Sequence, residues 1–172
     1  MSKSATAAVA RTPHTVIDVT LDTQSFGMCP AEVELERHKA ISDLLSANSF
    51  QLVTAGATGG PYRLALSIVE ERLVMGVACS VTGGREDVHL PLAPLKSQIN
   101  DYVIICDNFH KMARAGQFHK LEAVDMGRRA VHDEAAESLS SAVEGKVVLD
   151  KMTARRLFSL VYVLHMRGVN QI

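Results

Sequence analysis

Apolar and polar positions change period three times along this chain, and those changes mark out its architecture. From Val16 to Leu21 the residues alternate, with Ile17, Val19 and Leu21 on one side and Asp18 and Thr20 on the other, the pattern of a half-buried strand. Helical spacing then takes over. Pro30 suits a first helical position, and Ala31 to Ala47 offers Val33, Arg37, Ile41, Leu44 and Leu45 at that spacing, with Glu34 and His38 as an i,i+4 pair and an end near Asn48. A loop from Gly56 to Pro61, read as a hairpin connection, returns the chain to alternation. Tyr62 to Val69 turns Leu64, Leu66 and Ile68 inward, Glu70 and Glu71 form a hairpin tip, and Leu73, Met75, Val77, Cys79 and Val81 continue the inward row. Thr82 to Arg85 make a second turn before Val88, Leu90 and Leu92, and Pro91 marks this last ladder member as an edge or a terminus. An antiparallel meander is the predicted result.

From Leu95 the period is 3.6 again. Leu95, Ile99, Tyr102, Cys106, Phe109 and Ala113 form a stripe opposite Lys96, Asn100, Asp107 and Lys111, ending near Gly116. Another helix runs from Phe118 to about Val143, with Leu121, Val124, Val131, Ala135, Leu139 and Ala142 on one face and Gly145 placed to end it. After a brief Val147 to Leu149, Asp150 can cap a last helix from Lys151 to about Arg167. Its Leu157, Phe158, Leu160, Val161, Val163 and Leu164 are apolar nearly all round, which predicts the most buried helix. Strands in the first half and helices in the second imply an α+β domain over residues 14–168: a small antiparallel sheet, the meander plus the N-terminal strand, packed by about four helices. Residues 1–13 and 169–172 are expected to be tails.

Composition narrows the classes. A chain of 172 residues, 47% hydrophobic, can remove roughly 70% of its unfolded surface from water, so its core needs no disulfide or metal. Its 18 basic and 19 acidic side chains leave no global electrostatic footprint for nucleic acid or anionic lipid. The longest apolar stretch, Leu157 to Leu164, is interrupted by Ser159 and falls well short of the ~20 residues that span a bilayer. Three cysteines without a CxxC pair read as reduced, cytoplasmic thiols, with Cys79 and Cys106 as small core hydrophobes. No secretory leader is legible between Met1 and Pro13.

Two di-arginine turns carry the candidate chemistry. In Asp125-Met-Gly-Arg-Arg129, Arg128 lies about 40° from Val124 and 20° from Ala135 around the helix, inside the apolar stripe, flanked by Asp125, Arg129 and His132. A guanidinium aimed there needs a carboxylate, carbonyls or a bound anion, so either a structural ion pair or an anion site follows. The second turn, Thr153-Ala-Arg-Arg156, lies with Ser159 and Arg167 on the only polar face of the last helix. Lys146 to Gly168 carries five basic residues against one acidic, net +4, whereas Gln117 to Glu144 is net −3. The two helices either neutralise each other in a solvated interface or present a basic patch to phosphate or an acidic protein.

Seven histidines assemble no recognisable metal motif: His132 is followed by Asp133, and Ala136 stands where HExxH requires its second His. His165 reads as a hydrogen-bonded core histidine. Gly56-Ala-Thr-Gly59-Gly60 lacks the Lys-Ser/Thr of a phosphate loop, and neither GxSxG nor GxGxxG occurs. No cofactor is called for.

The segments Gly59-Gly-Pro-Tyr-Arg-Leu64, Glu71-Arg-Leu-Val74, Asp125-Met-Gly-Arg-Arg129 with His132 and Glu134, and Thr153-Ala-Arg-Arg-Leu-Phe158 with Val163-Leu-His165 and Arg167-Gly168 occur in this order. In these blocks the chain resembles the alphaproteobacterial uncharacterised protein family 0262 over about Thr15 to Gly168. The resemblance implies a small bacterial cytoplasmic protein. It carries no activity, cofactor or catalytic residue onto these positions.

The functional expectation is a non-enzymatic binding or regulatory module. Arg128, Arg129, Arg155 and Arg156, organised by Asp125, His132 and Glu134, would bind a small anion or an acidic protein partner. An enzyme on phosphorylated or carboxylated substrates, with His132 as acid or base, is the alternative. RNA is disfavoured because Trp is absent and Tyr62, Tyr102 and Tyr162 mostly fall on core-facing positions. Burial of Arg128 predicts that Arg128→Ala costs ~2 to 3 kcal/mol more than Arg129→Ala.

Overall fold

The computed structural model of the chain describes residues 14–22, 29–53 and 59–169, the last by its backbone alone. The expected N-terminal tail lies outside them, and so do residues 170–172. The elements run β1 (Val16–Leu21), α1 (Ala31–Ser46), β2 (Phe50–Leu52), β3 (Tyr62–Val69), β4 (Arg72–Cys79), β5 (Arg85–Pro91), a 3-10 turn at Ala93–Leu95, α2 (Lys96–Arg114), α3 (Phe118–Ala142), β6 (Val147–Leu149) and α4 (Lys151–Val169). The α+β class holds. The last helix extends one residue into the expected tail.

Alternation sets the meander as read: β3, β4 and β5 pair antiparallel, with Leu64, Leu66, Leu73, Met75, Val77, Val88 and Leu90 all buried on one face. Glu70 and Glu71 turn the first hairpin with φ of 48° and 59°. Both φ values are positive, as a two-residue turn matching strand twist requires. Val81 departs from the predicted inward row: β4 ends at Cys79, and Val81 stands 78% exposed in the following turn.

β1 joins the sheet beside β3 in parallel, so the strand order is β1-β3-β4-β5 and the sheet is mixed. A register shift between Val16 and Asp18 breaks strict alternation, so Val16 and Val19 are buried where Ile17 had been expected to lead. The Asn48 side chain accepts from the Val16 N–H at 2.7 Å and donates to the Val16 carbonyl at 2.9 Å, standing in for a ladder partner at that shift.

β2 pairs with β6 in a separate two-stranded sheet. The loop between β2 and β3 therefore links two sheets and is no hairpin, although residues 54–58 themselves lie outside the described set. In α1 the predicted Glu34–His38 pair is replaced: Glu34 takes Arg37 at 3.0 Å and Arg167, and His38 meets Arg37 instead. Leu45 turns out to solvent while Ala40 is buried.

α4 is central, as its all-round apolarity predicts. Asp150 Oδ1 caps it by accepting from the Thr153 N–H at 2.9 Å, and Leu157, Phe158, Leu160, Val161, Val163 and Leu164 are all buried. The sheet, through β3, together with α1, α2 and α3 packs around it. Its predicted polar face is not a solvated one: Thr153, Ala154 and Ser159 are buried, and Thr153 Oγ1 accepts from the Ser49 N–H at 3.0 Å.

Candidate functional site

α1 and α3 flank α4, and between them opens a cleft of about 510 Å³ with the start of α4 and the middle of α2 in its lining. Helical spacing explains each wall. Glu32, Leu35, Glu36, Lys39 and Asp43 recur at intervals of three and four, so one side of α1 supplies them. Arg128, Arg129 and His132 come from α3, and Met152, Arg155, Arg156 and Ser159 from α4. Tyr102, Cys106, Phe109 and His110 follow the α2 stripe. Five of the seven residues singled out from the sequence thus reach one cavity.

The two others stand apart from it. Asp125 lies just outside and organises the arginines: Arg128 donates to its Oδ1 at 2.7 Å, and Arg129 pairs with its Oδ2 at 2.9 Å. These hydrogen bonds, led by Arg128, hold the Asp125 carboxyl below the usual carboxylate range. Glu134 is exposed and does not line the cleft.

Arg128 itself is 32% exposed and stacks over Phe109 at 5.7 Å, so it faces the cleft and not the core. The buried residues of α3, His132, Ala135, Ala136 and Leu139, all lie in its second half, so the apolar stripe around Arg128 has no deep core to enter. Gly127 faces α2 there: a Cβ at this position would come within 2.9 Å of Ile105 Cδ1, which would have to shift.

The floor is a polar network that sequence reading missed. Tyr102 donates from its hydroxyl to Glu36 Oε1 at 2.7 Å, and His132 Nε2 lies 3.0 Å from Ser159 Oγ. The His132 ring stacks on Tyr102 at 5.3 Å and leans on Phe158. Burial, then the charges of Arg155 and Arg128, lowers the His132 pKa to about 4, so the imidazole is neutral near pH 7. Burial raises the Glu36 carboxyl above its ordinary range and pushes the Cys106 thiol up to about 12, which keeps that thiol protonated and inert. Glu36 was legible in principle: it stands three residues after Val33 and four before Ala40, both buried, so a carboxylate falls on the core stripe of α1.

On the other wall Arg155 pairs with Asp133, which joins α4 to α3, and Arg156 donates to the Ala47 carbonyl at 2.8 Å. Among the described residues no group of three metal-ligating side chains converges. His165, expected to be a hydrogen-bonded core residue, is instead half-buried in a second pocket beside Lys96. Its ring is lowered in pKa by burial and by that lysine.

No helix of the described residues is long and apolar enough to cross a membrane. No solved structure matches this chain. Curated relatives do: a UPF0262 protein of Brucella anthropi is 42% identical over 153 residues, covering 89% of this chain and 94% of its own. A second, from Brucella canis, is 44% identical over 154 residues, and a third, from Mesorhizobium japonicum, is 45% identical over 159, each with the same coverage. The family described as "Uncharacterised protein family (UPF0262)" matches residues 13–167. With the arginine turns, the cleft between them and nearly the whole fold inside that match, this chain belongs to the UPF0262 family.

Proposed function

We propose that the protein is a binding or regulatory module that takes a small anionic ligand in the α1–α3 cleft. One observation carries this reading: four arginines from two separate turns reach a single cavity, and among the described residues only two carboxylates, Asp125 and Asp133, pair with them. Arg128 and Arg129 share Asp125, and Arg156 is held by a carbonyl alone. A cavity of this volume suits a metabolite-sized ligand, and a recess between helices fits such a molecule better than the face of an acidic protein. Unbridged cysteines and alphaproteobacterial relatives support a bacterial cytoplasmic setting.

Calorimetric titration with 3-phosphoglycerate and citrate tests it. Saturable binding is expected, together with a rise in melting temperature, since a ligand at a hundred times its Kd stabilises by about 2.7 kcal/mol. The double variant Arg129→Glu, Arg156→Glu changes side chains with few native partners and should lose that binding while staying folded. Unchanged binding in that variant would overturn the reading.

An enzyme acting on similar ligands keeps one observation in its favour, the His132–Ser159 contact on the cleft floor. The low proton affinity of His132 makes it a weak base near neutrality, which favours the binding reading.

A further inference from the structure

The cleft walls carry opposite charge. The arginines stand on the α3 and α4 side, whereas α1 contributes Glu32, Glu36 and Asp43, with the exposed Lys39 as the exception. Glu32 is engaged by Arg114 at 2.7 Å. Among the described residues neither Glu36 nor Asp43 has a cation within ion-pair distance, and Arg156 has no carboxylate. Unpaired charges of both signs therefore line one cavity without closing on each other. The Glu36 carboxylate is also oriented by the Tyr102 hydroxyl at 2.7 Å, so it is a preorganised acceptor at the floor.

We infer that this cleft selects zwitterions: its ligand carries an amine, received by the Glu36 and Asp43 wall, alongside the phosphate or carboxylate received by the arginines. The inference rests on the proposed anion site and adds its substrate class. A purely anionic ligand large enough to span the cleft must set its charge against the α1 carboxylates, a like-charge juxtaposition that a matched ammonium converts into attraction. The apolar part of the lining, Leu35, Phe109 and Met152, suits the carbon skeleton between the two groups.

O-phosphoserine and 3-phosphoglycerate share a skeleton and differ by an ammonium in place of a hydroxyl, so titrating both into the intact protein isolates the amine. The wild type should prefer O-phosphoserine by about tenfold or more, and Glu36→Gln should remove most of that preference while leaving 3-phosphoglycerate binding in place. Asp43→Asn repeats the test without disturbing the Tyr102 contact and should narrow the ratio as well. Equal affinity for the two compounds, or a preference that survives both substitutions, overturns the zwitterion inference and leaves the anion site standing. Binding of neither compound overturns both.

Discussion

The two sides of α4 pose opposite problems. Toward the sheet its Leu157, Leu160, Val161 and Leu164 join the aliphatic rows of the strands in one core, and nothing there needs a specific partner beyond fit. Toward the cleft, Ser159, Arg155 and Arg156 each depend on a group from a distant segment: His132, Asp133 and Ala47. The first side is tolerant of chemistry and intolerant of volume. On the second, a lost partner strands a polar group, so identity matters more than size.

The largest expected effect lies on the seam between the sides. Phe158 is fully buried and edge-on to Tyr102, and Phe158→Ala should cost about 3 to 5 kcal/mol in urea unfolding, its cavity opening into both regions. The adjacent Ser159→Ala should cost only about 1 kcal/mol, because it deletes a hydrogen bond and little volume. A reversal of that order would mean that the polar network, and not packing, holds α4 in place.

Acid should weaken the cleft side selectively. The folded-state pKa of His132, about 4, lies below its ordinary value near 6.5, so between these pH values the unfolded chain binds the extra proton. Stability is then present above pH 6.5 and is lost as pH falls toward 4, by roughly 3 kcal/mol in total. Glu36, shifted upward, works in the opposite sense above its unfolded value. The difference between wild type and His132→Gln isolates the histidine: the variant should show a flatter stability profile between pH 6.5 and 4, read from urea midpoints.

Arg128→Ala should cost more than Arg129→Ala, but by about 1 kcal/mol and not the 2 to 3 that full burial implied. Arg128 is 32% exposed against 68% for Arg129, and each leaves the other to satisfy Asp125. Equal thermal melts would show that the Phe109 stacking contributes nothing measurable.

Smallest of all should be the hairpin tip, far from the cleft. Glu70→Gly relieves a positive φ and should stabilise by up to about 1 kcal/mol, whereas Glu71→Gly loses the Lys96 contact at 2.7 Å and should come out near neutral.

Legibility followed the same divide. The meander, its tip, the Asp150 cap and the burial of α4 could all be read because period, turn chemistry and apolarity are local properties. β1 gave away its existence but not its parallel partner, since register against a strand some 45 residues on leaves no local mark. β2 escaped because Phe50-Gln51-Leu52 is too short to show alternation. In the cleft, the arginines are conspicuous as pairs in sequence, yet Tyr102 reads as a core stripe member, Ser159 as part of a polar face, and Glu36 draws no notice. Their role exists only through contacts 66 and 27 residues apart.

The position of α4 in the chain has a consequence for biosynthesis. It follows every other element of the described fold and is the helix against which α1, α2, α3 and β3 pack. As the polypeptide emerges from the ribosome, the sheet and α1 to α3 precede the surface that will bury them, and the cleft lacks Arg155, Arg156 and Ser159. Nascent chains stalled before Asp150 should be digested readily by protease, and those that include α4 and clear the exit tunnel should become resistant in one step. The cleft is therefore complete only once this helix has been made and docked.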